Sequence, residues 1–289
     1  MFDVIVSQVA NGLVLGFIYV LIAVGLSITF GLLGVINFAH GAFFALGAYV
    51  AWQLFQLFGW PAVVFAPLVV GLIGMIVEVV IIRRLYGREP LLGLVVTFAL
   101  ALLIEACIRF VWGASGKPFN QPPALMGIIE FGPLLITKYR VFVLGATVAT
   151  LIALWGFLTW TPYGRILRAG SRDPEMVELL GINLPRVLTA VFGLGCALAA
   201  IAGVLAAPLW TVSPSMAANA IMPAFVIVAI GGLGSFRGAV VAGLSVGIVI
   251  ALTIQFKPEA ASASMYVLMF VILMLRPRGL FGERWERFE

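Results

Sequence analysis

Charged side chains are scarce in this chain: its 289 residues include 12 Asp and Glu, 17 Lys and Arg and one His. Hydrophobic residues make up 63% of the sequence, and the mean hydropathy is +1.17. So little polar surface cannot cover a water-soluble globule of this length, which excludes the soluble classes and indicates a multi-pass membrane protein. The net charge of +5 then needs no nucleic-acid partner to explain it.

Cysteine and histidine are also nearly absent, and this excludes several kinds of chemistry. Cys107 and Cys196 both lie in apolar runs, so there is no disulfide framework and no metal-ligand spacing. With one histidine, no His-Glu-x-x-His motif and no acidic cluster in an apolar run, a membrane-embedded enzyme would lack a convergent catalytic set. We therefore predict no catalytic residue, metal or cofactor.

A nucleotide-binding loop is missing as well. The nearest sequence, Gly116-Lys117-Pro118, lacks the first glycine and the hydroxyl residue of Gly-x-x-x-x-Gly-Lys-Ser/Thr. Any nucleotide energy that this chain uses must therefore come from another subunit.

Long apolar runs dominate the rest of the chain. A helix needs about 20 residues to cross a hydrocarbon core of about 30 Å, and strands are not expected there because only helices satisfy their own backbone groups. We predict an all-α polytopic protein with one transmembrane domain over residues 1–289 and eight or nine membrane helices. The seventh run, of about 15 residues, is short enough to be a re-entrant half-helix. The predicted crossings lie near residues 5–30, 36–58, 61–82, 91–112, 139–160, 187–208, 219–234, 238–256 and 263–276.

The distribution of basic residues predicts the orientation, because Lys and Arg favour the cytoplasmic ends of membrane helices. Twelve basic residues fall at one end of the predicted bundle and four at the other, so we place the basic end and the C-terminus in the cytoplasm. The basic end holds Arg83, Arg84, Arg88, Arg165, Arg168, Arg172, Arg186, Arg237, Arg276, Arg278, Arg284 and Arg287, and the opposite end holds Lys117, Lys138, Arg140 and Lys257.

One polar segment, Thr161–Arg186, interrupts the apolar runs and carries seven charged side chains. Its centre predicts a short helix over Pro174 to Ile182. Asp173 can accept hydrogen bonds from free backbone N–H groups, Pro174 suits the first helical position, and Gly181 can end the helix. We predict that residues 161–186 form a cytoplasmic loop built around this helix.

The predicted helix is amphipathic, because Met176, Leu179 and Leu180 share one face while Glu175 and Glu178 occupy another. Such a helix can lie in a groove of a partner protein. The alternative is a helix that rests on lipid headgroups, attracted by the arginines of the same segment.

The longest loop at the less basic end spans residues 113–138 and contains four prolines, which restrict its backbone. Long loops often carry function. We interpret this extracytoplasmic loop as a docking surface for a soluble partner, the alternative being an ordered lid that has none.

A glycine pattern occurs twice. Gly31-Leu-Leu-Gly34 followed by Gly41-Ala-Phe-Phe-Ala resembles Gly231-Gly-Leu-Gly234 followed by Gly238-Ala-Val-Val-Ala. Transporters often contain duplicated halves with interrupted helices near the substrate path. Duplication is one explanation, and chance recurrence among 32 glycines is the other.

Four stretches give the chain a resemblance, nearly end to end, to the membrane permease subunits of high-affinity branched-chain amino-acid ABC importers. They are Asn11 to Gly16, Gly31 through Asn37 and His40 to Gly41, Gly164 through Asp173-Pro174 to Asn183, and Gly231 to Gly238. The resemblance implies a pathway subunit in a bacterial inner membrane. It further implies a second permease chain, two cytoplasmic ATPases, a substrate-binding protein that delivers the amino acid, and contact with membrane lipid.

The resemblance also assigns the polar segment to the ATPase, whose closure would switch the permease between outward-open and inward-open states. The residues predicted to couple to the ATPase are Gly164, Arg165, Arg168, Asp173, Pro174, Glu175, Met176, Glu178, Leu179, Leu180 and Gly181.

Polar side chains inside membrane helices are costly and often functional. Asn11, Asn37 and His40 are predicted to line a passage for a zwitterion, with helix-to-helix hydrogen bonding as the equal alternative. The predicted translocation path consists of Asn11, Gly16, Asn37, His40, Gly41, Gly231, Gly232 and Gly234.

Three further charges lie in the apolar runs. Glu105 and Arg109 stand four residues apart and can pair along one helix, so we interpret them as a structural pair. Glu78 precedes Arg83 by five residues, a poor spacing for pairing along a helix, although a neighbouring helix could supply a cation, and its role stays open. These few charges do not favour the rival class, an ion-gradient-driven transporter or channel for small zwitterions.

Overall fold

Helix α1 (Phe2–Leu33) runs through the middle of the protein, and the other long helices pack around it. The structure, a computed structural model, describes residues 2–34, 36–131 and 134–282. The main partners of α1 are α8 (Leu184–Ala206), α9 (Met216–Gly231) and, most extensively, α10 (Phe236–Phe256). Ile18 and the side chains from Val20 to Val24 are therefore almost fully buried.

The remaining long helices surround this centre. Helix α2 (His40–Phe58) packs between α8 and α9, and α3 (Ala66–Val80), which follows a 3₁₀ turn, packs on α8. Helices α4 (Pro90–Trp112) and α5 (Lys138–Trp160) leave most of their apolar side chains exposed, and so does α11 (Ala261–Leu275). Such surface suits hydrocarbon or a second membrane chain.

The predicted all-α polytopic architecture is confirmed. Among the described residues, eight helices are long and apolar enough to cross a membrane, and α9 is a shorter ninth apolar helix in the position predicted for the seventh run. The second crossing begins at His40 instead of residue 36, because the chain turns after α1 at Gly34, where φ is +66°. Such a φ suits glycine and ends the helix.

Small residues let the central helices approach closely. A Cβ on Gly12 would lie 2.8 Å from the Ile248 Cα in α10, and a Cβ on Gly47 would lie 2.5 Å from the Ala200 Cα in α8. Side chains do not fit at either place, so helix backbones pack directly against each other. This is the usual basis of helix association in membranes.

The ends of the helices that carry most arginines meet at one end of the bundle. Arg83 hydrogen-bonds Thr189 at the start of α8, and Leu280 pairs through its backbone with Ile230 near the end of α9. Gly31 near the end of α1 lies against Gly234, before α10. Arg284 and Arg287, also predicted to lie at this end, fall outside the described residues. We call this the arginine-rich end.

The loop between α4 and α5 lies at the opposite end and contains a small hairpin. Strands β1 (Ile128–Phe131) and β2 (Leu134–Thr137) pair antiparallel, with Ile128 opposite Thr137. Earlier in the loop, Lys117 pairs through its backbone with Val212 in the α8–α9 connection. The strands lie outside the long apolar helices, in agreement with the expectation of no strands in the bilayer.

Candidate functional site

The polar segment at the arginine-rich end folds into two short helices, α6 (Pro162–Arg172) and α7 (Pro174–Leu179). Helix α6 was not predicted. Its start is visible in the sequence, because Thr161 accepts a hydrogen bond from the Gly164 N–H at 3.1 Å and Pro162 occupies the first helical position. The start of α6 could have been predicted from these two residues.

Helix α6 is amphipathic and fixed to the bundle by its apolar face. Leu167 is 6% exposed and packs with Val191 of α8, near Ile28 of α1. Gly164 packs so closely on the backbone of Leu158 that a Cβ would lie 2.5 Å from the Leu158 Cα. Arg165 and Arg168 are exposed on the other side of the helix. The segment is therefore held in a defined place, with basic side chains at its surface.

Helix α7 begins as predicted. The Met176 N–H donates to the Asp173 Oδ1 at 2.9 Å, which satisfies one of the free donors of the first turn. Pro174 stands at the first helical position. The Glu175 backbone belongs to this helix, but its side chain and that of Pro174 lie outside the described part of the structure.

The end of α7 corrects the prediction of a helix reaching Ile182. Gly181 has a φ of +79° and its N–H donates to the Glu178 carbonyl at 2.9 Å. The Ile182 N–H donates to the Val177 carbonyl at 3.3 Å, which completes a Schellman motif. Because a left-handed glycine stops the helix, it ends at Leu179.

The apolar face of α7 is divided between the protein and its surroundings. Val177 is 2% exposed and ties the helix to the bundle. Met176, Leu179 and Leu180 are 53%, 82% and 72% exposed. Glu178 is also exposed. Helix α7 thus presents Met176 and Leu179 outward, with Leu180 directly after its end and charged side chains beside them, which is the pattern of an interaction surface.

Glu78 of α3 is completely buried beside the start of α8, and four hydrogen bonds surround its carboxylate. Arg83 donates through Nε at 3.3 Å and Nη2 at 3.1 Å, Tyr86 donates its hydroxyl at 2.9 Å, and Thr189 donates its hydroxyl at 2.6 Å. Hydrogen bonding to Glu78 raises the pKa of the Arg83 guanidinium, and burial together with the Glu78 charge raises the pKa of the Tyr86 hydroxyl.

The Glu78–Arg83 pair corrects the expectation that a spacing of five residues is too poor for pairing. Helix α3 ends at Val80, and residues Ile82–Leu85 form a 3₁₀ turn that winds the chain differently and brings Arg83 back to Glu78. The pairing cation thus comes from the same segment. Since Thr189 lies in the second turn of α8, the network fastens α3 to the helix that follows α7.

The polar residues predicted for the translocation path make contacts inside the chain. Asn37 is 2% exposed and its Oδ1 accepts from the Ala39 N–H at 3.1 Å, while the Nε2 of the fully buried His40 lies 3.1 Å from the Ile22 carbonyl. Asn11 accepts from Arg140 of α5. The contacts of His40 and Asn11 join helices, as the packing alternative expects, whereas the Asn37 bond lies within its own turn. A role of these residues in translocation stays a prediction.

The glycines predicted for the same path lie where helices touch. Gly16 faces α10, and Gly41 faces Ala217 and Ile221 of α9. The two similar glycine turns meet, since a Cβ on Gly31 would lie 3.3 Å from the Gly234 Cα. Gly231 packs on Gly238, and Gly232 and Gly234 have positive φ values of +98° and +79°. The turns thus form one junction at the arginine-rich end, and duplication stays a prediction.

An aromatic contact that the sequence did not predict joins three elements near this junction. Phe38, in the turn before α2, stacks on Phe225 of α9 with ring centroids 5.8 Å apart, and meets Phe98 of α4 edge-on at 6.4 Å. Thr97 fixes the same turn by donating to the Ile36 carbonyl and accepting from the Phe38 N–H. The rings therefore link α4 to α9 across the start of α2.

The loop at the opposite end is ordered by aromatic packing. The rings of Trp60 and Phe119 stack 5.0 Å apart at an angle of 5°, and the Lys117 ammonium lies 5.6 Å from the centre of the Trp52 ring. The Trp52 indole donates to the Pro118 carbonyl at 3.2 Å. The loop is therefore a fixed surface that covers the end of α2.

Comparison with protein families places this chain among transport proteins. The family described as branched-chain amino acid transport system, permease component, matches residues 8–275. The chain is 30% identical over 293 residues to the high-affinity branched-chain amino acid transport system permease protein LivH of Escherichia coli (strain K12). That alignment covers 96% of this chain and 95% of LivH.

Two further similarities concern a related permease and the fold. The permease protein LivM of Salmonella typhimurium, from the same kind of transport system, is 26% identical over 289 residues, covering 91% of this chain and 67% of LivM. Among solved structures, PsaBC from Streptococcus pneumoniae in complex with Fab is similar with a TM-score of 0.50 and 13% identity, covering 92% of this chain and 89% of that one. At that identity the likeness concerns the fold alone.

Proposed function

The chain belongs to the permease family of branched-chain amino acid transport systems, and from this we propose that it is the pathway subunit of an ATP-driven importer. Its substrates are branched-chain or other hydrophobic amino acids. Separate ATPase subunits supply the energy, because the sequence contains no phosphate-binding loop. The chain itself catalyses no reaction.

The observation that carries this proposal is the outward face of α7. Met176, Leu179 and Leu180 are exposed on a helix whose two ends are fixed by Asp173 and by the glycine stop at Gly181. A short amphipathic helix of this kind fits into a groove of a partner protein. We assign that groove to the ATPase.

Force on α7 has a direct route into the bundle. Helix α6 packs through Leu167 on α8 and next to α1, and α7 leads within a few residues to the start of α8, where Asn183 accepts from the Arg186 N–H at 3.2 Å. Closure of the ATPases would thus move the arginine-rich ends of α8 and α1, and the glycine junction that lies beside α1. We infer that this movement opens and closes the passage.

The same assignment fixes the orientation. The arginine-rich end lies in the cytoplasm with α6, α7 and the C-terminus, in keeping with the preference of Lys and Arg for that side. The loop over residues 113–138 then faces outward, and its ordered aromatic surface is where a substrate-binding protein docks. The protein is placed in a bacterial inner membrane.

A second permease chain completes the pathway. This chain is similar to both LivH and LivM, two permease proteins of one kind of transport system. The exposed apolar surfaces of α4, α5 and α11 offer room for such a neighbour and for lipid. The partner is either a second copy of this chain or a related one.

Replacing Leu179 and Leu180 together with serine tests the coupling role. Burial of each leucine in a partner groove contributes about 1.5–3 kcal/mol, so we expect ATP-dependent leucine uptake to fall about tenfold or more. Uptake is measured in vesicles that contain this chain, its ATPases, the second permease and the delivery protein. Purification with the ATPases reports docking directly.

Leu275→Ser is the matched control, because Leu275 is 77% exposed at the arginine-rich end of α11 and lies outside α6 and α7. Its uptake is expected to equal that of the unmodified chain. Normal uptake by the double serine variant would leave α7 as a helix resting on lipid headgroups and remove it from the mechanism. Gradient-driven uptake by the isolated chain would favour a secondary transporter.

A further inference from the structure

A stripe of exposed and partly exposed side chains runs along α4 at alternating spacings of four and three residues. This spacing places them on one flank of the helix. The half of the stripe near the arginine-rich end is apolar, and the half near the outer loop is a charged pair. The stripe consists of Leu91, Val95, Phe98, Leu102, Glu105 and Arg109.

The charged pair is confirmed, but its surroundings differ from those of a purely structural pair. The Arg109 Nη2 donates to the Glu105 Oε1 at 2.6 Å, with side chains 48% and 21% exposed. Glu105 lies seven residues before the helix end at Trp112, or about 10 Å along the axis. Charges at such depth are strongly disfavoured against lipid tails and usually border water or protein. This flank of α4 therefore does not face hydrocarbon.

Tyr49 of α2 adds a polar group near the same end of α4. It is fully buried, and its hydroxyl has no hydrogen-bond partner among the described residues. Its ring lies 5.3 Å from that of Trp112, which stands one turn after Arg109 on α4. Buried hydroxyls are normally satisfied, so an unpaired one that packs on the same end of α4 as the ion pair indicates a site for a ligand group.

We propose that Glu105, Arg109 and Tyr49 bind the charged head of an amino-acid zwitterion as it passes through the importer. This rests on the proposed transport function. The planar guanidinium of Arg109 matches a carboxylate in two parallel hydrogen bonds, and the Glu105 carboxylate accepts from the ammonium. The Tyr49 hydroxyl donates to the substrate carboxylate. Without substrate the two charges pair with each other, so neither is left bare.

The apolar half of the stripe suits the rest of such a substrate. Leu102 and Phe98 follow Glu105 toward the arginine-rich end, and both are about half exposed, at 54% and 52%. A branched aliphatic side chain can lie against them while its charged head stays at the pair. Phe98 also contacts Phe38, and Phe38 in turn stacks on Phe225 of α9, so the stripe is continuous with this aromatic contact. The route therefore runs from a charged outer site to an aromatic inner one.

Reversing the pair separates a substrate site from a structural pair. In the Glu105→Arg/Arg109→Glu variant the two side chains can still pair four residues apart, but each half of the zwitterion meets a like charge. Since hydrogen bonds to charged groups contribute enough to change affinity 10- to 100-fold, we expect kcat/KM for radiolabelled leucine uptake to fall about tenfold or more. Assembly with the ATPases should stay unchanged. Normal uptake by the reversed pair would overturn the proposal.

Arg109→Lys supplies a graded variant, because lysine keeps the charge and loses the planar fork. Its kcat/KM is expected to lie between those of the unmodified and reversed chains. Equal uptake by Arg109→Lys and the unmodified chain would contradict a two-bond contact to the substrate carboxylate.

Thiol labelling tests access to the site without relying on uptake. Cys107 is exposed on α4 two residues before Arg109, on a different side of the helix, so it serves as an internal control. We expect a water-soluble methanethiosulfonate to label Arg109→Cys in a Cys107→Ser background and to leave Cys107 of the unmodified chain unlabelled. Labelling of Cys107 but not of position 109 would overturn the proposal.

The two measurements keep the proposals apart. Absence of ATP-dependent leucine uptake by the unmodified complex would reject the transport function itself. Uptake by that complex together with normal uptake by the reversed pair would reject only the site. Leucine with the delivery protein should slow labelling at position 109. If labelling at position 109 is slowed by phosphatidylethanolamine and is unaffected by leucine, the pair binds a lipid headgroup and the proposal is overturned.

Discussion

Two glutamate–arginine pairs in this chain have the same chemistry and opposite surroundings. At the arginine-rich end, Glu78 is fully buried and receives hydrogen bonds from Arg83, Tyr86 and Thr189. In the other half of the bundle, Glu105 and Arg109 are partly exposed and bond to each other. In the closed pair, neighbouring residues hydrogen-bond the Glu78 carboxylate. In the open pair, Glu105 and Arg109 keep hydrogen-bonding groups that a ligand can use.

The difference indicates what each pair does. A buried carboxylate that is hydrogen-bonded on several sides holds elements together, here α3 and the start of α8. Removing its cation leaves the buried carboxylate charge uncompensated. An exposed pair contributes little to stability, so its presence within an apolar helix calls for another reason. Closed networks of this kind fix structure, whereas open pairs are available to ligands.

Arg83→Met is expected to give the largest effect on stability. It leaves Glu78 buried without its cation, which costs about 3 kcal/mol, and the unfolding temperature in detergent should fall clearly. Arg84→Met is the matched control, because Arg84 is an exposed neighbour of the same turn, and it should change little. Equal unfolding temperatures for the two variants would contradict the claim that the closed Glu78–Arg83 pair stabilises the fold.

Thr189→Val should have an intermediate effect. The hydroxyl donates to Glu78 and accepts from Arg83, both at 2.6 Å, so its removal costs about 1.5 kcal/mol. Thr253→Val is the control, since within the described part of the chain that hydroxyl bonds only to the Val249 carbonyl of its own helix, and its loss is nearly neutral. We also expect weaker coupling of ATP hydrolysis to uptake, because α8 is no longer fastened to α3. An unchanged unfolding temperature would contradict this role.

The neutral variant Glu105→Gln/Arg109→Gln should have the smallest effect on stability, below about 0.5 kcal/mol, because exposed pairs contribute little. Its leucine uptake should nevertheless fall. The same detergent unfolding assay measures the first quantity and vesicle uptake the second. A loss of stability as large as that of Arg83→Met, with normal uptake, would make the two pairs alike.

The fold was largely predictable because apolar runs and basic residues are strong signals in a membrane protein. All nine predicted crossings correspond to helices, and the Asp173 cap was found from its residue type and position. Helix α6 was missed because its buried apolar face is narrow: Leu167 is buried, while glycines and arginines occupy much of the rest of the helix. Periodicity alone does not reveal such a helix.

The candidate site was less predictable, because it depends on contacts between distant parts of the chain. The sequence correctly paired Glu105 with Arg109 but did not indicate that the pair is exposed or that Tyr49 packs on the same end of α4. It also missed the Glu78–Arg83 pairing, which requires the change from α-helix to 3₁₀ turn after Val80. Asn37 and His40 were chosen by residue type, whereas burial depends on the tertiary packing.

The side of the membrane on which α7 lies tests the central claim most directly, since an ATPase can act on this helix only from the cytoplasm. A single cysteine at Leu180, with Cys107 and Cys196 replaced, is labelled with a membrane-impermeant maleimide, and a cysteine at Leu135 marks the opposite end. We predict that position 180 is labelled only in inverted vesicles and position 135 only in intact spheroplasts. Labelling of position 180 in intact spheroplasts would contradict the account.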